Sequence, residues 1–145
     1  MRQLQLIAHG EPSDVIELNT VSEPALGRED VLISMEAAPL NPSDFLFVRG
    51  TYGVRPAFPS SLGAEGVGRV AKIGSKVDVA LQSKRVLIIP TYEQGTWADQ
   101  VVAPVRNLVP MCIRPPASAT PWACWSTPPS RIRRWWSWPG SRLAR

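Results

Sequence analysis

Tyr52 is the first side chain in the sequence that could do chemistry. It stands between Gly50 and Gly53, in Arg49-Gly50-Thr51-Tyr52-Gly53. Flanking glycines let a loop turn an aromatic ring outward. A phenol stays protonated near neutral pH and so can donate a hydrogen bond. The same spacing also fits a loop tyrosine that packs its ring on the body. Asn41 opens Asn41-Pro42-Ser43-Asp44. Asn before Pro, with an acid three residues on, reads as a helix start: Asn41 caps, Pro42 takes the first helical position, and Asp44 favours the positive end. Asp44 fits a helix-start residue better than a catalytic acid. Trp97 follows Gly95-Thr96 and reads as a core or cleft-wall aromatic. Metal chemistry is poorly provided for. Both cysteines, Cys112 and Cys124, lie late in the chain, and the one histidine, His9, sits in an N-terminal turn. A tetrahedral site needs several Cys, His or carboxylate ligands together, so no zinc is expected.

The elements that must position these residues are mostly strands. Residues 3–8 and 15–21 read as two strands, with turn chemistry at His9-Gly10-Glu11-Pro12-Ser13 between them. Residues 31–38, 65–73 and 85–89 continue the series, and a further strand is expected from Gly95 to Val102. A two-turn helix should run from Pro42 to Arg49 and stop at Gly50. Many short strands with one short helix suggest a small, partly open β-barrel, not a doubly wound sheet. Gly63-Ala64-Glu65-Gly66-Val67-Gly68 imitates a dinucleotide fingerprint. The true fingerprint opens a helix, whereas these glycines lead into the strand-like Val70-Ala71-Lys72-Ile73. A bulge or a close approach of two backbones is therefore expected there.

The chain has 145 residues and a formal charge of +4. That length suits one domain. The charge is uneven. Residues 1–111 hold 10 Lys+Arg against 12 Asp+Glu, while residues 112–145 hold six Arg and no acid. The basic character therefore belongs to the tail, which argues against nucleic acid as a partner of the body. With no cysteine in the body, a disulfide framework is not implied. No apolar run approaches the length of a membrane span, and the start lacks the apolar stretch of a signal peptide. Cytoplasm is the expected location.

Four segments in order carry a family resemblance: Ala38-Pro39-Leu40-Asn41-Pro42-Ser43-Asp44, Arg49-Gly50-Thr51-Tyr52-Gly53, Gly63-Ala64-Glu65-Gly66-Val67-Gly68-Arg69-Val70, and Gly95-Thr96-Trp97. Over residues 1–111 the chain resembles the GroES-like domain of medium-chain dehydrogenases/reductases. The 2-enoyl thioester reductase branch is the nearest likeness and the quinone oxidoreductases the next. The resemblance implies hydride delivery from NADPH to a carbon–carbon double bond conjugated to a carbonyl, in an enoyl thioester, enone or quinone. It implies a cleft shared with a Rossmann domain, full-length homodimers, Tyr52 as donor to the carbonyl oxygen, Asn41 near the nicotinamide, and Trp97 as a cleft-lining residue. Zinc-dependent relatives carry Cys where this chain has Asn41 and His where it has Ala64, so the resemblance too implies a zinc-free enzyme.

Residues 112–145 break the pattern, with five of the six tryptophans and no helical or strand period. A basic aromatic tail could serve an interaction module. The genetic code favours another origin. Read one base out of step, Trp122-Ala123 forces Gly, Cys124-Trp125 forces Leu, Trp135-Trp136 forces Val and Trp138-Pro139 forces Ala, while Ser126-Thr127-Pro128 permits Asn-Pro. That is an ordinary apolar sequence with the Asn-Pro the family carries. The expectation is a 1–111 domain followed by an out-of-frame tail. Such a chain would lack its Rossmann domain and be inactive alone, or be the inert product of a damaged gene.

Overall fold

A computed structural model describes residues 1–111, and Met1–Met111 form one unit. Expectations for 112–145, including the tail's frame and any binding role, lie outside the described residues. Strand β1 (Arg2–Leu6) pairs antiparallel with β2 (Ile16–Thr20) and, through Gln5 and Leu6, with β4 (Ser60–Ser61). A five-stranded sheet runs in the order β7 (Gln100–Pro104), β3 (Asp30–Ala37), β5 (Gly66–Ile73), β6 (Arg85–Ile88), β8 (Leu108–Pro110). The described residues are thus mainly β, as expected, with two short helices where one is expected. The sheets stay open and do not close into a barrel. Gln3 of β1 also forms an isolated antiparallel bridge with Ala98.

Strand β3 lies between two partners and buries Val31, Leu32 and Ile33 in succession. That is the run of a central strand covered on both faces. It joins Val70, Val86, Ile88, Val101 and Ala103 in one core cluster. The second cluster, Leu6, Val15, Phe47, Val48 and Leu62, sits under helix α2 (Pro42–Val48), with Tyr92 and Trp97 packed on it. Helix α2 stops as expected. Gly50 has φ +73, and a Cβ there would meet the His9 ring at 2.8 Å, so glycine alone fits. The glycine run ends in close approach. The β3–β5 register shifts between Met35 and Ala37, and a Cβ on Gly68 would stand 2.5 Å from the Ser34 carbonyl oxygen.

Two expectations need correction. The His9–Ser13 turn leads into a one-turn helix, α1 (Pro12–Val15), because Pro12 fits a first helical position and Ile16 N–H returns to Pro12 O. The strand expected from Gly95 begins only at Gln100. Before it, the Thr96 and Trp97 N–H groups go to the carbonyls of Gly63 (3.0 Å) and Leu62 (2.9 Å), so Thr96 and Trp97 lie along the Leu62–Glu65 loop, and β3 is first met at Asp99, whose carbonyl accepts the Met35 N–H at 3.0 Å.

Candidate active site

The site begins at the N-terminus of α2, where Asn41 and Asp44 form a capping box. The Asp44 carboxylate, only 1% exposed, accepts the Asn41 backbone N–H at 2.7 Å and closes the first turn. The Asp44 N–H donates in turn to the Asn41 backbone carbonyl at 3.0 Å, and the Asn41 carboxamide nitrogen is left to reach elsewhere. That nitrogen donates to Glu65 Oε1 at 2.8 Å, across to the loop after Leu62. One residue thus starts the helix, as expected, and its side chain spans to a second loop. The Glu65 segment is fixed in turn. Thr96 Oγ1 donates to its carbonyl at 2.7 Å, and Thr91 N–H donates to Ala64 O at 2.9 Å. The segments around Asn41, Glu65 and Thr96 are far apart in the sequence, and these hydrogen bonds stitch them together.

Asn41, Ser43, Tyr52, Val54, Glu65 and Tyr92 line an open concavity of about 850 Å³, along with Pro42, Ala64, Pro90, Thr91 and Glu93. Tyr52 is 36% exposed, so its ring is not a core ring. Its backbone N–H is held by Leu46 O at 3.2 Å. Asn41 and Tyr52 therefore share one surface. Trp97 does not line it. The Trp97 indole donates to Pro39 O at 3.1 Å and the ring packs on the second core cluster, which is the core-aromatic alternative for that residue.

No sequence signal marks Tyr92. It comes after Pro90-Thr91 in a stretch without motif or periodicity. Its ring stacks on Phe47 with centroids 4.4 Å apart and planes 6° from parallel, and it meets the Tyr52 ring edge-on at 5.2 Å. Its hydroxyl donates to Asp44 Oδ1 at 3.1 Å. Burial pushes the Tyr92 phenol above its ordinary value, Ser43 opposes that, and the nearby Asp44 charge reinforces it. Tyr92 thus stays neutral with its proton committed to Asp44. Among the described residues, the Tyr52 hydroxyl has no such partner.

The lining carries two carboxylates, Glu65 and Glu93, and neither Lys nor Arg. Such a wall suits an uncharged group and repels phosphates. Among the described residues no three His, Cys, Asp or Glu side chains cluster as a metal site would require.

Residues 27–113 match the family described as the alcohol dehydrogenase GroES-like domain. The chain belongs to that family. Among curated proteins, the GroES-like chain is 39% identical over 101 residues to the mitochondrial enoyl-[acyl-carrier-protein] reductase of Mus musculus, covering 70% of this chain and 27% of that protein. Among solved structures it resembles the Pseudomonas syringae pv. Tomato DC3000 quinone oxidoreductase, with TM-score 0.69 and 30% identity, over 79% of this chain and 34% of that one. The fold also matches Etr1p in its complex with NADP and crotonyl-CoA, with TM-score 0.63 and 23% identity, over 76% of this chain and 33% of that one. The chain therefore spans about a quarter to a third of the length of these relatives. They are oxidoreductases of the medium-chain dehydrogenase/reductase superfamily, as the sequence resemblance implies. The mouse protein is mitochondrial by name, whereas the sequence alone suggests cytoplasm.

Proposed function

We propose that residues 1–111 form the substrate-side domain of a zinc-free, NADPH-dependent reductase acting on a carbon–carbon double bond conjugated to a carbonyl. The observation that carries this reading is the division of labour between two phenols in one concavity. Tyr92 commits its proton to Asp44, while Tyr52, 36% exposed, lines the open side with a hydroxyl that no hydrogen bond among the described residues engages. Adding hydride to the double bond builds negative charge on the carbonyl oxygen, and a fixed donor at that oxygen lowers the barrier. Tyr52 is the phenol able to be that donor.

NADPH, when bound, would supply the hydride. The residues here fit its uncharged nicotinamide end: Asn41 offers a carboxamide at the concavity's edge, held at a defined angle by Glu65. They do not fit its phosphates, which two carboxylates would repel. Among enoyl thioesters, enones and quinones, the first is favoured by the likeness to an enoyl-[acyl-carrier-protein] reductase.

The test compares the 145-residue chain with one read in the alternate frame after residue 111, which we propose restores the family sequence. NADPH titration should show no tight binding to the first and clear binding to the second. In the restored chain, Tyr52→Phe should lower NADPH-dependent reduction of crotonyl-CoA by about 10²–10³-fold, the effect of losing one donor at a developing oxyanion. Unchanged turnover of crotonyl-CoA, an enone and a quinone in that variant would remove Tyr52 from its role. Tight NADPH binding by the 145-residue chain would overturn the proposed division at residue 111.

A further inference from the structure

We infer that Tyr92 is a positioning residue that holds the Tyr52 ring in one orientation, an inference that rests on the reading of Tyr52 as the donor. Tyr52 sits in an exposed loop, where Thr51, Gly53, Val54 and Arg55 are all exposed. A loop side chain so placed samples several staggered rotamers unless a neighbour selects one. The neighbour is Tyr92. Its ring is gripped on one face by Phe47, which is buried in the core and stacks at 4.4 Å. Its hydroxyl is tied to the buried Asp44 carboxylate. With face and tip both fixed, Tyr92 offers Tyr52 a rigid wall, met at 61° with centroids 5.2 Å apart. That geometry lies within the favoured edge-to-face range, and such a contact biases a rotamer population by about two- to tenfold.

The arrangement also links the two groups that face the concavity. Asp44 accepts the Asn41 backbone N–H with one oxygen and the Tyr92 hydroxyl with the other. One buried carboxylate therefore sets the origin of the Asn41 side chain directly and the Tyr52 ring through Tyr92. Ser43 and the Glu65 loop complete the wall without contributing a second aromatic face.

The chain makes the inference readable because it contains only two tyrosines, Tyr52 and Tyr92. Ring-labelled tyrosine in the 145-residue chain gives two sets of NMR signals, assigned with Tyr52→Phe. The expected result is one predominant Tyr52 χ1 rotamer, cross-relaxation between the two rings, and a ring-current shift on Tyr52. Tyr92→Leu should abolish that shift and average the rotamers, and Tyr92→Phe should restore most of both, since it keeps the aromatic face and loses only the tie to Asp44. Methyl signals of Ile33 and Val86, in the other core cluster, report whether each variant is folded. A rotamer-averaged Tyr52 in the unmodified chain would overturn the inference without any variant. So would a Tyr52 unaffected by Tyr92→Leu in a folded protein. Turnover of crotonyl-CoA by the chain read in the alternate frame tests the donor reading separately: if Tyr52 is well ordered and Tyr52→Phe leaves that turnover unchanged, the positioning role stands and the catalytic one is removed.

Discussion

Phe47→Ala is the substitution that should separate the scaffold of the site from its surface. Phe47 is 1% exposed, among the largest fully buried side chains, and forms part of the cluster beneath α2. Truncating a buried phenylalanine to alanine costs about 3–5 kcal/mol through lost transfer energy and the cavity left behind. The upper half of that range applies here, because the ring also stacks on Tyr92 at 4.4 Å, a contact worth about 0.5–1.5 kcal/mol by itself. A domain of this size has a total stability of about 5–15 kcal/mol, so about a quarter or more is removed. Leu46, its neighbour in the helix, is 45% exposed. Leu46→Ala should cost under about 1 kcal/mol, since a half-solvated side chain leaves no sealed cavity. Urea unfolding followed by far-UV circular dichroism measures both, with equal slopes indicating that the unfolded states are comparable. The order could fail in one informative way. If Phe47→Ala lost no more than Leu46→Ala, the Phe47 ring would not be a core ring, and the stack that steadies Tyr92 would fall with it.

Gly68→Ala should destabilise the domain by about 1–3 kcal/mol, because the new Cβ meets the β3 backbone at 2.5 Å and main chain cannot swing aside. Gly53→Ala, where a Cβ meets nothing within 4 Å, is the control and should be neutral or slightly stabilising in the same thermal melt. Acidification should release two surface clasps. Hydrogen bonds and then the charge of Arg49 hold the Glu11 carboxyl below its usual range, and side-chain then backbone bonds from Arg2 do the same for Asp99. A carboxyl with a lowered folded pKa contributes above its unfolded pKa and loses that contribution as pH falls through the folded one. Carboxylate NMR should therefore show both titrating below free Asp and Glu, with a small stability loss that high salt masks. Gln94→Met should change the urea midpoint little, because it removes the buried Nε2 that lacks a partner among the described residues together with the bond that Gln94 Oε1 accepts from Thr91 Oγ1.

Legibility in the sequence depends on how local each signal is. Helix α2 is readable because its start and stop lie close together in the chain: Asn41-Pro42 at one end, Asp44 in the first turn, Gly50 at the other. Strand β3 is readable because a strand covered on both faces must be apolar at consecutive positions. Gly66 and Gly68 do not read as phosphate-binding because they open a strand and not a helix. The errors arise where a partner distant in sequence decides. Thr96 and Trp97 look like strand residues, yet their N–H groups are taken by Gly63 and Leu62, more than thirty positions earlier, and β7 starts late for that reason. Asn41 reads as a cap, and the capping box bears that out, but nothing near it announces that its amide nitrogen goes to Glu65. Tyr92 carries no local mark at all, since its meaning lies in three contacts made by residues 40 or more positions away: Phe47, Asp44 and Tyr52. A site built at the meeting of loops is therefore only half visible in the chain that forms it. The motifs name the groups that face the ligand, and the packing between loops names the group that holds them still.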